Sequence, residues 1–327
     1  MAAQLPMFSW VEDRRDRITF GLQAVPLPGS AHPGHQVIEA ALLTEEIGLD
    51  AFYLPDHPAW APEAWVHLAA IAMVTERIRL GTVVTSIAYR APAHLARLAA
   101  DTDQLSDGRL VLGLGIGWDA DEFKRLGLDM APVPERQRFL EEAIQTIRAA
   151  WRGEPASENR PFLFPKQPGG PPILIAGSGK RVTLRQVAAH ADACNFGPSE
   201  TTGGVRTPDD VRQTLAILRQ HCDEIGRPVD DILPTHFTSW LLLADSEVAA
   251  QAKLSRYYPG GLTEIQRLTR VATTPGGAVA YYQALADAGV RHFVIQSQDA
   301  TDHETYRLLA TAVAPHVKVP ATPGVSL

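Results

Sequence analysis

Cysteine is nearly absent from this chain. Cys194 and Cys222 are its only two cysteines in 327 residues. Two thiols are too few for a disulfide framework or for a metal site with four thiolate ligands. We therefore expect the protein to work in a reducing compartment, and we place it in the cytoplasm.

Long apolar runs are also missing. A membrane-spanning helix needs about 18 consecutive apolar residues, whereas the most apolar helical stretch, Trp65 to Val74, is interrupted by His67. The N-terminus carries no apolar segment of the secretory kind. From this pattern we expect no membrane partner and no targeting segment.

An excess of basic charge is the third absence. The chain has 30 Lys and Arg residues against 37 Asp and Glu residues, which gives a net charge of −7. Binding to a phosphate backbone requires a basic face, so nucleic acid is not an expected partner. Because 45% of the residues are hydrophobic, the chain can bury a sizeable core. These features favour a globular protein.

The sequence contains a regular alternation of apolar strand-like segments and amphipathic helices. Its central unit is an apolar run within residues 77–92, a helix after Pro92 with an apolar stripe, and a second apolar run within residues 107–118. Strands that are apolar throughout are typical of a parallel sheet covered on both faces. Eight strands are predicted in this way, at 18–25, 50–54, within 77–92, within 107–118, and at 172–176, 192–196, 232–243 and 290–296.

Helical sequence follows each predicted strand. Eight such units favour a single α/β domain, a (β/α)8 TIM barrel with insertions over residues 1–327, more than a doubly wound sheet. The segment 246–273 is expected to hold helical pieces, and the tail from Lys318 is expected to fray. In such a barrel the functional residues lie at the C-terminal ends of the strands. The polar and glycine-rich positions there are Gln23, Asp56, His57, Thr85, Ser86, Gly117–Asp119, Gly177–Lys180, Asn195 and Gln296–Gln298.

Asp56 and His57 directly follow a buried strand, so a carboxylate and an imidazole emerge at the mouth together. Histidine can take or return a proton near neutral pH, which suits general acid-base catalysis on a carbonyl or an alcohol. The alternative is a loop pair that merely caps the next helix. His67 and His94 fall on helices behind their strands, so the histidines do not predict a metal cluster.

A second turn of interest is Gly177-Ser178-Gly179, which lies between the fifth predicted strand and a helix predicted over 180–190. Glycines let a backbone approach an anion closely, and the first N–H groups of a helix can bind it. This pattern predicts a phosphate site, although a simple tight turn has the same sequence. Gly113 and Gly115 are interpreted as structural, because a barrel strand needs close packing there.

Several motifs occur in the order found in one family. They are Leu54-Pro55-Asp56-His57, Arg77-Ile78-Arg79-Leu80-Gly81, Tyr89-Arg90-Ala91-Pro92, Leu105-Ser106-Asp107-Gly108-Arg109-Leu110, Gly113-Leu114-Gly115-Ile116-Gly117-Trp118 and Pro172-Ile173-Leu174-Ile175-Ala176-Gly177. Together they resemble the bacterial luciferase-like monooxygenase superfamily, and more narrowly its branch of oxidoreductases that depend on the deazaflavin coenzyme F420. The resemblance runs from about Ile18 to Asn195 and continues more weakly over 289–296.

The resemblance implies a (β/α)8 barrel with a flavin or deazaflavin ring across its mouth. It places Asp56 and His57 beside the ring, with His57 transferring a proton and Asp56 orienting it. It implies a cis non-prolyl peptide near Thr85-Ser86, where the third strand ends against the ring. Further cofactor contacts are implied for Thr85, Ser86, Trp118, Asp121, Gly177, Ser178, Gly179 and Asn195, and Trp60 matches an aromatic residue that lies over the site in some relatives.

Hydride transfer between coenzyme F420 and a small carbonyl, alcohol or activated alkene is the predicted reaction. An FMN-dependent monooxygenase that uses O2 is the alternative. Two further possibilities stay open, a cofactor-binding relative without turnover and a metal-dependent barrel hydrolase, and the lack of paired histidines argues against the second. Homodimers are common in the family, but no sequence feature here identifies an interface or a particular substrate.

Overall fold

The computed structural model describes residues 9–152, 164–198 and 204–320. The predicted Pro-rich break at 154–172, the loop at 197–208 and the tail from Lys318 lie partly outside these residues. The strands are β1 (Thr19–Ala24), β2 (Ala51–Leu54), β3 (Arg79–Thr82), β4 (Thr85–Ser86), β5 (Leu110–Gly115), β6 (Ile173–Ala176), β7 (Ala193–Phe196), β8 (Leu233–Thr238), β9 (Trp240–Leu243), β10 (Arg270–Thr273) and β11 (His292–Ser297).

Helices follow the strands along the chain. They are α1 (Ser9–Glu12), α2 (Pro33–Glu46), α3 (Ala64–Val74), α4 (Pro92–Leu105), α5 (Ala120–Arg125), α6 (Val133–Trp151), α7 (Thr183–His190), α8 (Pro208–Ile225), α9 (Glu247–Tyr257), α10 (Glu264–Thr269), α11 (Pro275–Asp287) and α12 (His303–Leu308), with shorter turns at 229–231 and 309–316. No helix in the described part of the chain combines the length and the apolar character needed to cross a membrane.

The main sheet is a closed barrel. Within the described residues, eight parallel strands follow the order β3-β2-β1-β11-β8-β7-β6-β5, and a pairing of β5 with β3 closes the ring. The short β4 also pairs with β5 and continues the third strand. The predicted (β/α)8 TIM barrel is therefore confirmed. Its strands are buried on both faces because side chains fill the interior and helices cover the outside, as in β5, where every residue is buried.

The helices pack through the apolar stripes that the sequence predicts. In α6, Leu140, Ile144 and Ile147 are buried against the barrel. In α4, Leu95 and Ala99 of the apolar stripe are buried, whereas Leu105, the last residue of the helix, is exposed.

The N-terminal end of the barrel is closed by α1, a helix that the sequence does not predict. Trp10 and Val11 are buried beneath the strands and pack against Val111, Leu174 and Leu233, which lie at or next to the first residues of their strands. The ring of Trp10 also meets the edge of His292, with 6.2 Å between the ring centroids. This end of the interior is filled with side chains.

The predicted seventh strand, 232–243, is wrong as a single element. It divides after Thr238 into β8, which belongs to the barrel, and β9, which pairs in parallel with β10 in a separate two-stranded sheet. Residues typical of strands continue across the break, with Phe237 and Thr238 before Ser239 and Trp240 after it, so the sequence pattern does not reveal it. The strand β10 lies at the end of a segment that was expected to be helical, and it is only half-buried.

Candidate active site

The structure brings the predicted site residues to one end of the barrel. All eight barrel strands are parallel, so the residues that follow β2, β3, β5 and β6 meet at the C-terminal mouth. Asp56 and His57 follow β2, Thr85 and Ser86 follow β3, Trp118 follows β5, the glycine turn follows β6, and Asn195 lies in β7. The two turns that carry the functional prediction therefore share the same end of the fold.

His57 pairs with a carboxylate that the sequence interpretation missed. Its Nδ1 lies 2.8 Å from Oε2 of Glu122, which belongs to the short helix α5 after β5. Glu122 is fully buried, whereas 17% of the His57 side chain is exposed. The same carboxylate accepts hydrogen bonds from the Tyr89 hydroxyl at 2.9 Å and from the backbone N–H of Ala59 at 3.3 Å.

These contacts keep Glu122 charged. Burial raises the pKa of its carboxyl, but the hydrogen bond and charge of His57, together with the Tyr89 and Ala59 donors, outweigh burial and lower the pKa below its ordinary value. Conversely, burial and the hydrogen bond to Glu122 raise the pKa of Tyr89, so Tyr89 keeps its proton and donates it. An ionised Glu122 accepts the N–H of Nδ1, which leaves Nε2 as the ring nitrogen free to exchange a proton.

Asp56, which was predicted to orient His57, makes its side-chain hydrogen bonds to a different residue. Its two carboxylate oxygens instead accept hydrogen bonds from the guanidinium of Arg90, one of them at 3.1 Å. Arg90 also pairs with Glu63, the residue that caps α3. Since Asp56 is buried and bidentate on Arg90, it fixes the loop after β2 against the loop after β4.

Two tryptophans flank the histidine. The Trp60 ring stacks on His57 with 4.5 Å between centroids and an interplanar angle of 21°. The Trp118 ring lies 5.8 Å from the same imidazole. Trp60 is 42% exposed and Trp118 is 59% exposed, which is unusual for so large an apolar side chain. They give the mouth an aromatic rim on which a planar ring can stack.

The end of the third strand contains the expected non-prolyl cis peptide, slightly earlier than predicted. It joins Val83 to Val84, whereas the predicted position was near Thr85-Ser86. The carbonyl of Val83 accepts a hydrogen bond from Nε2 of Gln23 at 2.6 Å, and Gln23 Oε1 accepts one from Nε2 of Gln296 at 2.7 Å. This chain of amides holds the strand end at the floor of the mouth.

The hydroxyls of Thr85 and Ser86 support a ligand site beside this strand end. Both residues are buried, yet neither Thr85 Oγ1 nor Ser86 Oγ has a hydrogen-bond partner among the described residues. A buried hydroxyl without a partner is costly, so an external acceptor or donor would be stabilised there. Both residues therefore fit the predicted contact with a cofactor.

The turn after β6 is shaped for close approach. Gly177 has φ of +127°, a backbone conformation that side-chain-bearing residues rarely adopt, and a Cβ on Gly179 would lie 2.7 Å from Thr183 Oγ1. The helix that follows starts at Thr183, three residues later than predicted, so its first N–H groups are farther along the chain from the turn. The glycine turn itself, with exposed Gly179, leaves room for an anionic group.

The Asn195 side chain is hydrogen-bonded inside the barrel. Its Nδ2 donates a hydrogen bond to Thr235 Oγ1 at 2.7 Å, and its backbone carbonyl accepts one from the N–H of Gly177 at 2.9 Å. Through the second contact Asn195 supports the glycine turn. Its predicted direct contact with a cofactor stays a prediction.

The interpretation of Gly113 as structural is confirmed. A Cβ at this position would lie 1.9 Å from the backbone carbonyl oxygen of Thr82, and one at Gly115 would lie 2.7 Å from Val84 Cγ2. Both glycines let β5 pack against the end of the third strand. As for metals, no group of three or more candidate ligand side chains occurs among the described residues.

Taken together, the mouth fits a planar redox cofactor with an anionic tail. An aromatic rim lies beside His57, and two hydroxyls without partners among the described residues and the glycine turn lie at the same end of the barrel. Glu122 and Arg90 were not predicted to act here. Arg90 lies in the motif Tyr89-Arg90-Ala91-Pro92. Nothing in the sequence indicates that Glu122, 65 residues beyond His57, contacts that histidine.

Comparisons with known proteins agree with this architecture. An F420-dependent glucose-6-phosphate dehydrogenase of Microbacterium testaceum is 27% identical over 87% of this chain and 94% of its own length. Among solved structures, an F420-dependent secondary alcohol dehydrogenase in complex with an F420-acetone adduct matches with a TM-score of 0.74, 17% identity and coverage of 92% of this chain and 99% of that one. The oxygenating constituent of 3,6-diketocamphane monooxygenase from Pseudomonas putida, in complex with FMN, matches with a TM-score of 0.71, 16% identity and coverage of 93% and 100%.

The family profile covers nearly the whole barrel. The profile described as luciferase-like monooxygenase matches residues 18–315, from the first barrel strand to the last helical turns. The chain belongs to the luciferase-like monooxygenase family.

Proposed function

We propose that the protein is a coenzyme F420-dependent oxidoreductase. Its reaction is hydride transfer between F420 and a small carbonyl, alcohol or activated alkene at the mouth of a single barrel domain. The observation that carries the proposal is the pairing of His57 with buried, ionised Glu122 beneath two exposed tryptophans. This arrangement suits proton exchange next to a planar ring.

The residues that would hold the cofactor lie around this pair. Thr85 and Ser86 offer hydroxyls that have no partner in the described part of the chain. Trp118 offers an aromatic face, and Gly177, Ser178 and Gly179 form the turn for a phosphate group. Asn195 supports that turn through its carbonyl. When bound, F420 supplies or accepts the hydride.

The chain's own part in the reaction is to manage the proton. His57 accepts a proton from an alcohol at Nε2, or returns it to a developing alkoxide, while Nδ1 stays hydrogen-bonded to Glu122. The negative charge of Glu122 stabilises the imidazolium that results. Asp56 acts indirectly, because its pairing with Arg90 fixes the loop that carries His57.

Support for F420 over FMN comes from the sequence relative. The M. testaceum dehydrogenase is named for its use of F420, and it aligns with most of this chain. The two solved neighbours hold F420 in one case and FMN in the other, so the fold alone does not distinguish between the cofactors. The acid-base pair favours a dehydrogenase, since alcohol oxidation releases a proton that must be accepted.

The test is a pair of fluorescence titrations of the purified protein, one with oxidised F420 and one with FMN. We expect saturable quenching with F420 at a lower concentration than with FMN. We also expect F420 reduction with glucose 6-phosphate or with 2-propanol as trial substrates. Preferential binding of FMN, accompanied by oxygen consumption when reduced FMN is supplied, would overturn the proposal in favour of a monooxygenase.

A further inference from the structure

A cavity of about 330 Å³ lies at the N-terminal end of the barrel, opposite the mouth. We call it the basal cavity. The segments that precede β1, β2 and β3 form its wall, and four arginines line it, Arg14, Arg17, Arg77 and Arg79. Two of these belong to the motif Arg77-Ile78-Arg79-Leu80-Gly81, which the proposed function leaves unused.

Three carboxylates also line the basal cavity, but they do not balance the arginines. Glu45 is occupied by the backbone N–H groups of residues 76–78, which donate to it at 2.7 to 3.1 Å. Asp50 is shared between two of the arginines, at 3.5 and 3.2 Å, and Asp13 is exposed. Four arginines against three carboxylates leave one positive charge in excess.

The two inner arginines are incompletely paired. Arg14 is only 4% exposed; it pairs with Asp50 at 3.5 Å and donates a hydrogen bond to the Trp10 carbonyl at 3.2 Å, but its Nε has no hydrogen-bond partner among the described residues. Arg79 forms no ion pair within the described part of the chain, and its contacts are long ones to neutral oxygens, namely Gln167 Oε1 at 3.3 Å, Gly108 O at 3.4 Å and Ser9 Oγ at 3.5 Å. Burial, and then the charge of Arg14, lower the pKa of Arg79 to about 10.

A buried cation without a partner is destabilising unless an anion accompanies it. Arginine presents planar N–H donors that match the oxygens of phosphate and similar groups. The volume of the cavity is ample for a tetrahedral oxyanion, whose share of space is a few water volumes of about 30 Å³ each.

We propose that the basal cavity is a binding site for a small oxyanion, either free phosphate or the phosphoryl group of a metabolite. Arg14 and Arg79 provide the inner donors, and Arg17 and Arg77 provide the outer ones at the opening. The site is separate from the mouth, where the glycine turn follows β6 at the other end of the strands. It is independent of the cofactor chosen at the mouth.

The test is calorimetric titration of the full chain with inorganic phosphate and, separately, with methyl phosphate, at constant ionic strength. Arg17→Gln and Arg77→Gln remove outer charges without disturbing the core, since both residues are exposed. We expect each substitution to weaken binding about tenfold through the loss of one charge-assisted contact. Tighter binding of methyl phosphate than of phosphate would identify a phosphorylated metabolite, and the reverse would identify the free ion.

Two controls locate the binding. Arg219→Gln removes an exposed arginine on α8, outside the basal cavity, and should leave the affinity unchanged. Gly179→Ala alters the turn at the mouth, where the proposed cofactor's phosphate would lie, and so distinguishes binding at that turn from binding in the basal cavity. The proposal is overturned if the wild-type chain binds neither ligand, if Arg17→Gln and Arg77→Gln bind as well as wild type, or if Gly179→Ala alone abolishes binding. None of these outcomes depends on whether F420 binds.

Discussion

Replacement of Glu122 by glutamine tests whether the carboxylate that supports His57 is Glu122, as observed, or Asp56, as expected from sequence alone. The substitution keeps the size of the side chain and removes its charge. Glu122 contacts His57 at 2.8 Å in a fully buried position, and a hydrogen bond to a charged group contributes about 1.5 to 3 kcal/mol. If that contribution is lost when His57 becomes an imidazolium, kcat falls about ten- to a hundredfold.

The comparison variant is Asp56→Asn. Asp56 contacts Arg90 and not His57, so its loss should lower thermal stability and change kcat by less than about fivefold. Tyr89→Phe removes one neutral donor from Glu122 and should cost about 1 kcal/mol, well below the effect of Glu122→Gln.

The assay is rapid mixing of each variant with F420 and the better of the two trial substrates, with the cofactor's absorbance as the signal. Fluorescence titration of F420 serves as the control and should give similar affinities for all variants. The reasoning is refuted if Glu122→Gln turns over at the wild-type rate, or if Asp56→Asn loses as much kcat as Glu122→Gln while still folded.

Two further predictions concern stability. Gly113→Ala should destabilise the fold by about 3 kcal/mol in thermal unfolding, because its Cβ would lie 1.9 Å from Thr82 O. The control Gly260→Ala, whose Cβ would have no atom within 4 Å, should be close to neutral. Equal effects of the two substitutions would contradict this prediction. Burial raises the pKa of Glu45, but three backbone N–H donors outweigh it and lower the pKa, so Glu45→Ala should cost about 1 to 3 kcal/mol at pH 7. The difference in the free energy of unfolding between Glu45→Ala and wild type should shrink as the pH falls below 4.5, the ordinary pKa of this carboxyl, because the carboxylate is then protonated in both folded and unfolded chains. A difference that persists to pH 2 would count against the prediction.

The sequence predicts the barrel well because its signal is local. Most barrel strands carry a run of apolar residues, because burial on both faces favours apolar side chains, as in β5 and β6. The break between β8 and β9 is invisible for the same reason, since residues on both sides of Ser239 are apolar or small. Only the pairing of β9 with β10, 30 residues away, separates the two strands.

The site is predicted only in part. Residues that emerge directly after a strand, such as His57 and Thr85, can be placed at the mouth by counting strands. Adjacency in sequence predicts Asp56 as the partner of His57, but the structure pairs Asp56 with Arg90. The actual partner, Glu122, depends on how α5 folds back over the mouth, which is a tertiary property without a local pattern.

The position of Trp10 beneath the strands affects how substrate enters the barrel and how product leaves it. Since Trp10 and Val11 fill the lower end of the interior within the described residues, we expect substrate and product to pass through the mouth at the other end. A new substrate molecule therefore binds only after the previous product has left. In a barrel that is open at one end, substrate binding and product release use the same opening. Slow product release would therefore limit the turnover rate.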